Sequence, residues 1–190
     1  MKLRNVVAAL GVVSVAGPVM MTAMPAATAD TAAVQQKLGD PWDIGDDHCD
    51  DVTIKSKANN KYVAAEVDYT GYVFGQLRAR SGSVGGNWEK YSICPMDGYK
   101  TIWSYGAKRY VSAELNYTGA DTGMLRARAT EVKDYEKFQI VHNEAAGYYT
   151  IKSLANGKYV SAELAYKEGG YAMLRARADS VGSYEKFLIS

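Results

Sequence analysis

Lys158-Tyr159-Val160-Ser161-Ala162-Glu163, then Leu174-Arg175-Ala176-Arg177, then Tyr184-Glu185-Lys186-Phe187 decide the fold, because the same three phrases occur three times in the chain. The first copy contains Lys61-Tyr62-Val63-Ala64-Ala65-Glu66, Leu77-Arg78-Ala79-Arg80 and Trp88-Glu89-Lys90-Tyr91. The second contains Arg109-Tyr110-Val111-Ser112-Ala113-Glu114, Leu125-Arg126-Ala127-Arg128 and Tyr135-Glu136-Lys137-Phe138. Tyr62, Tyr110 and Tyr159 are spaced 48 and 49 residues apart, and Leu77, Leu125 and Leu174 keep that spacing, so the register holds within each unit. Such a period means either a short open array or a closed object with threefold pseudosymmetry. No copy departs from the others as a polar cap would, which favours closure, with repeats over about 50–97, 98–145 and 146–190.

Within each copy, residues alternate as half-buried strands do, and helical periodicity is absent. Val160, Ala162 and Leu164 share one face, expected to point inward, and Tyr159, Ser161 and Glu163 share the other. In Leu174-Arg175-Ala176-Arg177-Ala178 the leucine and alanines are expected inward and both arginines outward, since a charge at every second position is hard to bury. Two further strands complete each unit. One is Val52 to Ser56, with relatives around Ile102 and Ile151. The other is Trp88 to Ile93, with relatives Tyr135 to Val141 and Tyr184 to Ile189. Glycines fall between the strands, where turns require them. Twelve short strands in three equal units predict an all-β chain, a β-trefoil of three pseudo-symmetric four-stranded repeats, whose barrel closure also removes exposed strand edges. The expected core is Ile54, Val63, Leu77 and Ile93 with their counterparts Ile102, Val111, Leu125, Ile140, Ile151, Val160, Leu174 and Ile189.

Gly157-Lys158-Tyr159-Val160-Ser161-Ala162-Glu163, Leu174-Arg175-Ala176-Arg177 and Gly182-Ser183-Tyr184-Glu185-Lys186-Phe187 resemble the fascin-like β-trefoil repeat, over all three copies from about Val52 to Ser190. The resemblance implies a non-enzymatic binding protein. Relatives of the fascin type bind actin filaments, but crosslinking there is the work of several trefoils in tandem and this chain has one. The Gln-x-Trp repeat of ricin-type trefoils occurs nowhere here, so the ricin-type sugar pocket does not carry over.

The N-terminus reads as an export signal over 1–29. Lys2 and Arg4 supply the positive end, Val6 to Met21 the apolar run and Ala27-Thr28-Ala29 a small-residue cleavage site. The run is broken by Gly17-Pro18 and no stop-transfer pattern follows, which argues against an anchor. Residues 30–49 form an acidic leader bearing Trp42, and residues 50–190 the trefoil domain. The expected mature chain keeps twenty of the 22 basic residues and all 21 acidic ones, and acids and bases recur together in each repeat. That balance excludes the basic face a nucleic-acid partner needs. In the oxidising compartment implied by export, Cys49 and Cys94 are expected to form one disulfide. His48 and its neighbouring aspartates lack a zinc-ligand spacing, so no metal is expected, and no cofactor motif is present.

Glu66, Glu114 and Glu163 face Arg78 and Arg80, Arg126 and Arg128, and Arg175 and Arg177 if their strands pair as hairpins. They make either cross-strand ion pairs or a polar binding floor repeated in three lobes. Glu89, Glu136 and Glu185 recur in identical context, which points to a fold-maintaining role. Acid–base catalysis needs carboxyls set apart by environment, which threefold repetition opposes, and neither His48 nor His142 sits in a triad motif, so no catalytic residue is assigned. Fifteen tyrosines are the compositional oddity. Tyr69, Tyr72, Tyr117, Tyr166 and Tyr171 lie between the second and third strands, and tyrosine suits both sugar stacking and protein contacts. These five are the candidate ligand-binding residues. The leading functional expectation is a secreted monomeric module that binds a polysaccharide or cell-surface glycan. The alternative is a protein-interaction module, inhibitor-like or envelope-associated, using the irregular loops Asp68 to Gln76, Asn143 to Gly147 and Lys167 to Tyr171.

Overall fold

A computed structural model describes residues 48–167 and 170–190; the expected export segment and nearly all of the expected leader lie outside them. Among the described residues the regular structure is strand and short 3-10 turn, with no α-helix. The strands are β1 (Asp50–Ser56), β2 (Lys61–Glu66), β3 (Gln76–Ser81), β4 (Lys90–Met96), β5 (Tyr99–Ser104), β6 (Arg109–Glu114), β7 (Met124–Ala129), β8 (Phe138–Asn143), β9 (Tyr148–Ser153), β10 (Tyr159–Glu163), β11 (Met173–Ala178) and β12 (Phe187–Ile189). Strands β1, β4, β5, β8, β9 and β12 pair in that order, and β12 returns to β1, closing a six-stranded antiparallel barrel. The hairpins β2–β3, β6–β7 and β10–β11 cap one end. Each hairpin shifts register by a bulge directly after its tyrosine, at Tyr62/Val63, Tyr110/Val111 and Tyr159/Val160. The chain is a β-trefoil.

All twelve expected core residues are buried. Tyr91, Phe138 and Phe187, the aromatics that close each Glu-Lys-aromatic phrase, add the largest fully buried rings. Burial raises the Tyr91 phenol well above its ordinary value, with the charges of Glu89 and Glu66 adding to the effect.

Two expectations are corrected. The phrases beginning Trp88, Tyr135 and Tyr184 do not start as strands: Asn87–Glu89 and Asp134–Glu136 are single 3-10 turns, and the third strand begins only at Phe187. The glutamate ends each turn by accepting backbone N–H groups, from Gly85 and Gly86 for Glu89, Lys133 for Glu136 and Gly182 for Glu185. This is the glutamate half of a capping box, without a return bond, since neither Gly86 nor Lys133 has a side-chain acceptor. The second correction concerns the charged row of the hairpins. Glu66, Glu114 and Glu163 are buried, as are Arg78, Arg126 and Arg175, while only the second arginine of each pair stays exposed. The outer face of each hairpin is covered by the loop of another hairpin, so alternation does not separate core from solvent there.

At the axis the three hairpins meet backbone to backbone. Ala127 N–H donates to Gly75 O, Ala176 to Gly123 O and Ala79 to Ala172 O, at 2.7, 2.7 and 2.8 Å. Gly75 and Gly123 have φ of +73° and +79°, and a β-carbon at Gly123 would lie 2.5 Å from Ala176 O. At the third equivalent position Ala172 holds φ of +60°, in the region where an L residue is strained.

Cys49 and Cys94 form the expected disulfide, at the end of the β1–β4 ladder where Asp50 faces Ile93. Reduction is expected to lower the melting temperature by roughly 10 °C without unfolding the domain, since the bond closes a loop worth about 3 to 4 kcal/mol in the chain-entropy model. Thermal scans with and without reductant measure this. A second pair of melts tests the axis: Gly75→Ala should lose about 2 to 4 kcal/mol, whereas Ala172→Gly should be neutral or gain up to about 1 kcal/mol.

Candidate functional site

Each Leu-Arg-Ala-Arg phrase supplies two arginines with different work. The second turns back across its own hairpin. Arg80 grips Glu66, Arg128 grips Glu114 and Arg177 grips Glu163, each through Nε and Nη2 to the two carboxylate oxygens. These are the cross-strand ion pairs expected from the sequence. The hydrogen bond to the carboxylate raises each guanidinium above its ordinary value, against the opposing effect of partial burial. Because each carboxylate is buried while its arginine is about half exposed, losing the arginine strands a buried charge, and losing the glutamate strands a solvated one.

The first arginine reaches into another repeat. Arg126 donates from Nε to Phe74 O at 3.0 Å and from Nη2 to Gly71 O at 3.2 Å, both in the first hairpin loop. Arg175 does the same to Thr122 O and Gly119 O of the second loop, and Arg78 Nε donates to Tyr171 O of the third. Arginine suits this role because its planar fork presents several donors in fixed directions.

The five candidate tyrosines separate on this frame. Tyr117 and Tyr166 are partly buried and accept from Nη1 of Arg126 and Arg175 through their hydroxyls. The Arg175 guanidinium also lies 5.7 Å from the Tyr166 ring centre. Both tyrosines hold hairpin loops in place. Tyr69, Tyr72 and Tyr171 expose 45, 63 and 42% of their surface and keep their rings available for a partner. The strand tyrosines pack on the barrel wall, Tyr110 edge-on to Trp103, with Tyr62 under Lys55 and Tyr159 under Lys152.

Sequence reasoning missed the cleft at Asp68. A hollow of about 240 Å³ opens in the first repeat between β2, β3 and the turn before β4, lined by Ala64, Glu66, Asp68, Arg80, Trp88 and Glu89 among others. Its floor is the Glu66–Arg80 pair and its wall the indole of Trp88, which is 46% exposed. In the sequence Trp88 reads as a variant of the closing aromatic. The available signal was that this variant occurs in one copy only.

Comparison with protein-family models and with curated proteins finds no match. Among solved structures the chain is similar to the designed 3-fold symmetric protein ThreeFoil, at 18% identity and TM-score 0.60 over 73% of this chain and 96% of that one. It is similar to a proteinase inhibitor from Coprinopsis cinerea, at 13% identity and TM-score 0.58 over 75 and 97%. It is also similar to a ricin B-like lectin from Macrolepiota procera in complex with lactose, at 13% identity and TM-score 0.57 over 74 and 94%. At these identities the likeness shows the fold.

Arg126→Lys should cost roughly 2 to 4 kcal/mol, because one ammonium cannot replace three donors aimed at Phe74, Gly71 and Tyr117. Hydrogen exchange should quicken in residues 71–75, in a different repeat from the substitution. Unchanged exchange there would show that the loop is held by other contacts.

Proposed function

We propose that this protein is an exported, non-enzymatic binding module whose ligand is a carbohydrate, a polysaccharide or a cell-surface glycan. The observation that carries this reading is the first-repeat cleft, where an exposed indole stands over a charged, hydrogen-bonding floor. Indole and phenol rings match the apolar faces of sugar rings, and fixed carboxylate and guanidinium groups match hydroxyls. The lectin of the same fold in complex with lactose, and the exposed rings of Tyr69, Tyr72 and Tyr171, support the reading. Catalysis is not part of this reading, because Glu66, Glu114 and Glu163 sit in equivalent ion pairs and Glu89, Glu136 and Glu185 in equivalent caps, so each of these carboxylates serves the fold in every lobe. The disulfide fits an extracellular setting, and the resemblance of the repeats to the fascin type supports binding rather than catalysis.

A protein partner is the second reading, favoured by Tyr72 at the tip of its hairpin loop and by the proteinase inhibitor of the same fold. Insoluble polysaccharide pull-downs and a glycan array separate the two. Retention on glycans at high-micromolar to millimolar strength is expected, since a single stacked ring buries little area. No retention on any glycan, with capture of one protein that fails after Tyr72→Ala, would replace the sugar reading with the protein one.

A further inference from the structure

A position demanded by the fold recurs in all three copies, so a position that departs from the repeat and clusters with other departures is under a different demand. Five departures converge on the first-repeat cleft. Seven residues separate Arg80 from Trp88, but six separate Arg128 from Tyr135 and Arg177 from Tyr184, so the first loop is longer by one residue and contains Gly85-Gly86. Trp88 replaces the tyrosines at 135 and 184. Asp68 stands where the other copies have Asn116 and Ala165, and Ala64 where they have Ser112 and Ser161. Gly106, at the position of Ala58 and Ala155, packs directly on the indole's own residue: a β-carbon there would lie 2.9 Å from Trp88 Cα and 3.1 Å from its Cδ1.

Each departure has a physical effect on the cleft. The extra glycine lengthens the rim, with Glu89 holding both Gly85 and Gly86 N–H where the other copies' glutamates hold one backbone N–H. Ala64 removes the hydroxyl by which Ser161 engages Glu185 in the third lobe, at 2.7 Å. Gly106 makes room for the larger indole. In the second lobe the equivalent space is spanned by Tyr135, whose hydroxyl lies 3.4 Å from Asn116 Oδ1, and in the third lobe Ala165 supplies no polar group opposite Tyr184.

We infer that the cleft is a single sugar subsite, built in the first lobe alone, and that it takes a pyranose ring bearing no acidic substituent. This rests on the carbohydrate reading above. Trp88 stacks on the ring, Asp68 accepts from hydroxyls, and Arg80, which spends Nε and Nη2 on Glu66, turns Nη1 to the ligand. Three carboxylates, Glu66, Asp68 and Glu89, line the cleft against one guanidinium, and that surplus of negative charge repels uronate and sulfate. Binding by one chain is therefore monovalent.

The test is affinity electrophoresis of the disulfide-bonded domain through gels containing galactan, laminarin or glycol chitin, and in parallel polygalacturonate. Trp88→Ala and Asp68→Asn are compared with the third- and second-lobe controls Tyr184→Ala and Tyr135→Ala, all checked for an unchanged circular dichroism spectrum. The expected result is retardation of the wild type by at least one neutral polymer and none by polygalacturonate. Retardation should fall at least tenfold in both first-lobe variants and stay unchanged in both controls. Equal loss in the control variants, retention in Trp88→Ala, or preference for polygalacturonate overturns the single-lobe assignment while leaving carbohydrate binding standing. No retardation by any polymer, neutral or acidic, overturns both.

Discussion

Three buried arginines hold this trefoil's cap together. Arg78, Arg126 and Arg175 each leave their own hairpin and donate to backbone carbonyls in the loop of another, so the three hairpins form a ring in which every member holds one neighbour and is held by another. Loop carbonyls beneath a hairpin would otherwise be buried without donors, at a cost of one to several kcal/mol each. A lysine could not serve, since it offers donors from one point, and an apolar residue would leave the carbonyls orphaned. The burial of a formal charge at each of these sites is the consequence. Tyr117 and Tyr166 belong to the same arrangement, because their hydroxyls accept the remaining guanidinium donors.

The backbone contact at the axis explains why such long side chains are used. Ala127, Ala176 and Ala79 come so close to residues 75, 123 and 172 that two of the three positions are glycine, where a β-carbon would clash, and the third holds nothing larger than alanine. With the centre occupied by main chain, cohesion between hairpins has to be supplied from the periphery. An arginine immediately before the central alanine can span that distance. The second arginine of each phrase completes the division of labour by neutralising the glutamate that the same packing buries.

Repetition made much of this legible beforehand. Alternation identified all twelve core residues, because inside the barrel one face of each strand meets only other strands. The pairing of Cys49 with Cys94 followed from their being the two cysteines of a chain read as exported, and they meet at one end of the β1–β4 ladder. The burial of Arg126 was not legible, since its cover comes from Gly71 and Phe74, more than fifty residues earlier, and alternation carries no information about what lies over the second face. The 3-10 turns were hidden for a related reason: Glu89 and Glu136 act on the backbone just before them, and a carboxylate in an alternating phrase looks the same whether it caps a turn or faces water. The candidate tyrosines were recognised by position but not by state. Tyr69 and Tyr117 are equivalent in sequence, yet one ring is exposed and the other is tied to an arginine.

The cleft escaped notice because it is written in differences. A search for repeated phrases treats Trp88 as a tolerated substitute for tyrosine, and Gly106 as one more turn glycine. Their significance lies in being neighbours in space while standing eighteen residues apart in the chain, each changed in the direction that accommodates the other: larger ring on one side, no side chain on the other. A threefold fold has three equivalent places in which such a change can accumulate at little cost to the core, because the closing glutamate and the ion-paired glutamate remain in every copy. The lobe that departs keeps Glu66–Arg80 as a rigid floor and gains its indole wall on the 3-10 turn that Glu89 caps. Scaffold and site therefore share residues without conflict: the repeated charges fix the geometry, and the unrepeated groups around them are free to meet a ligand.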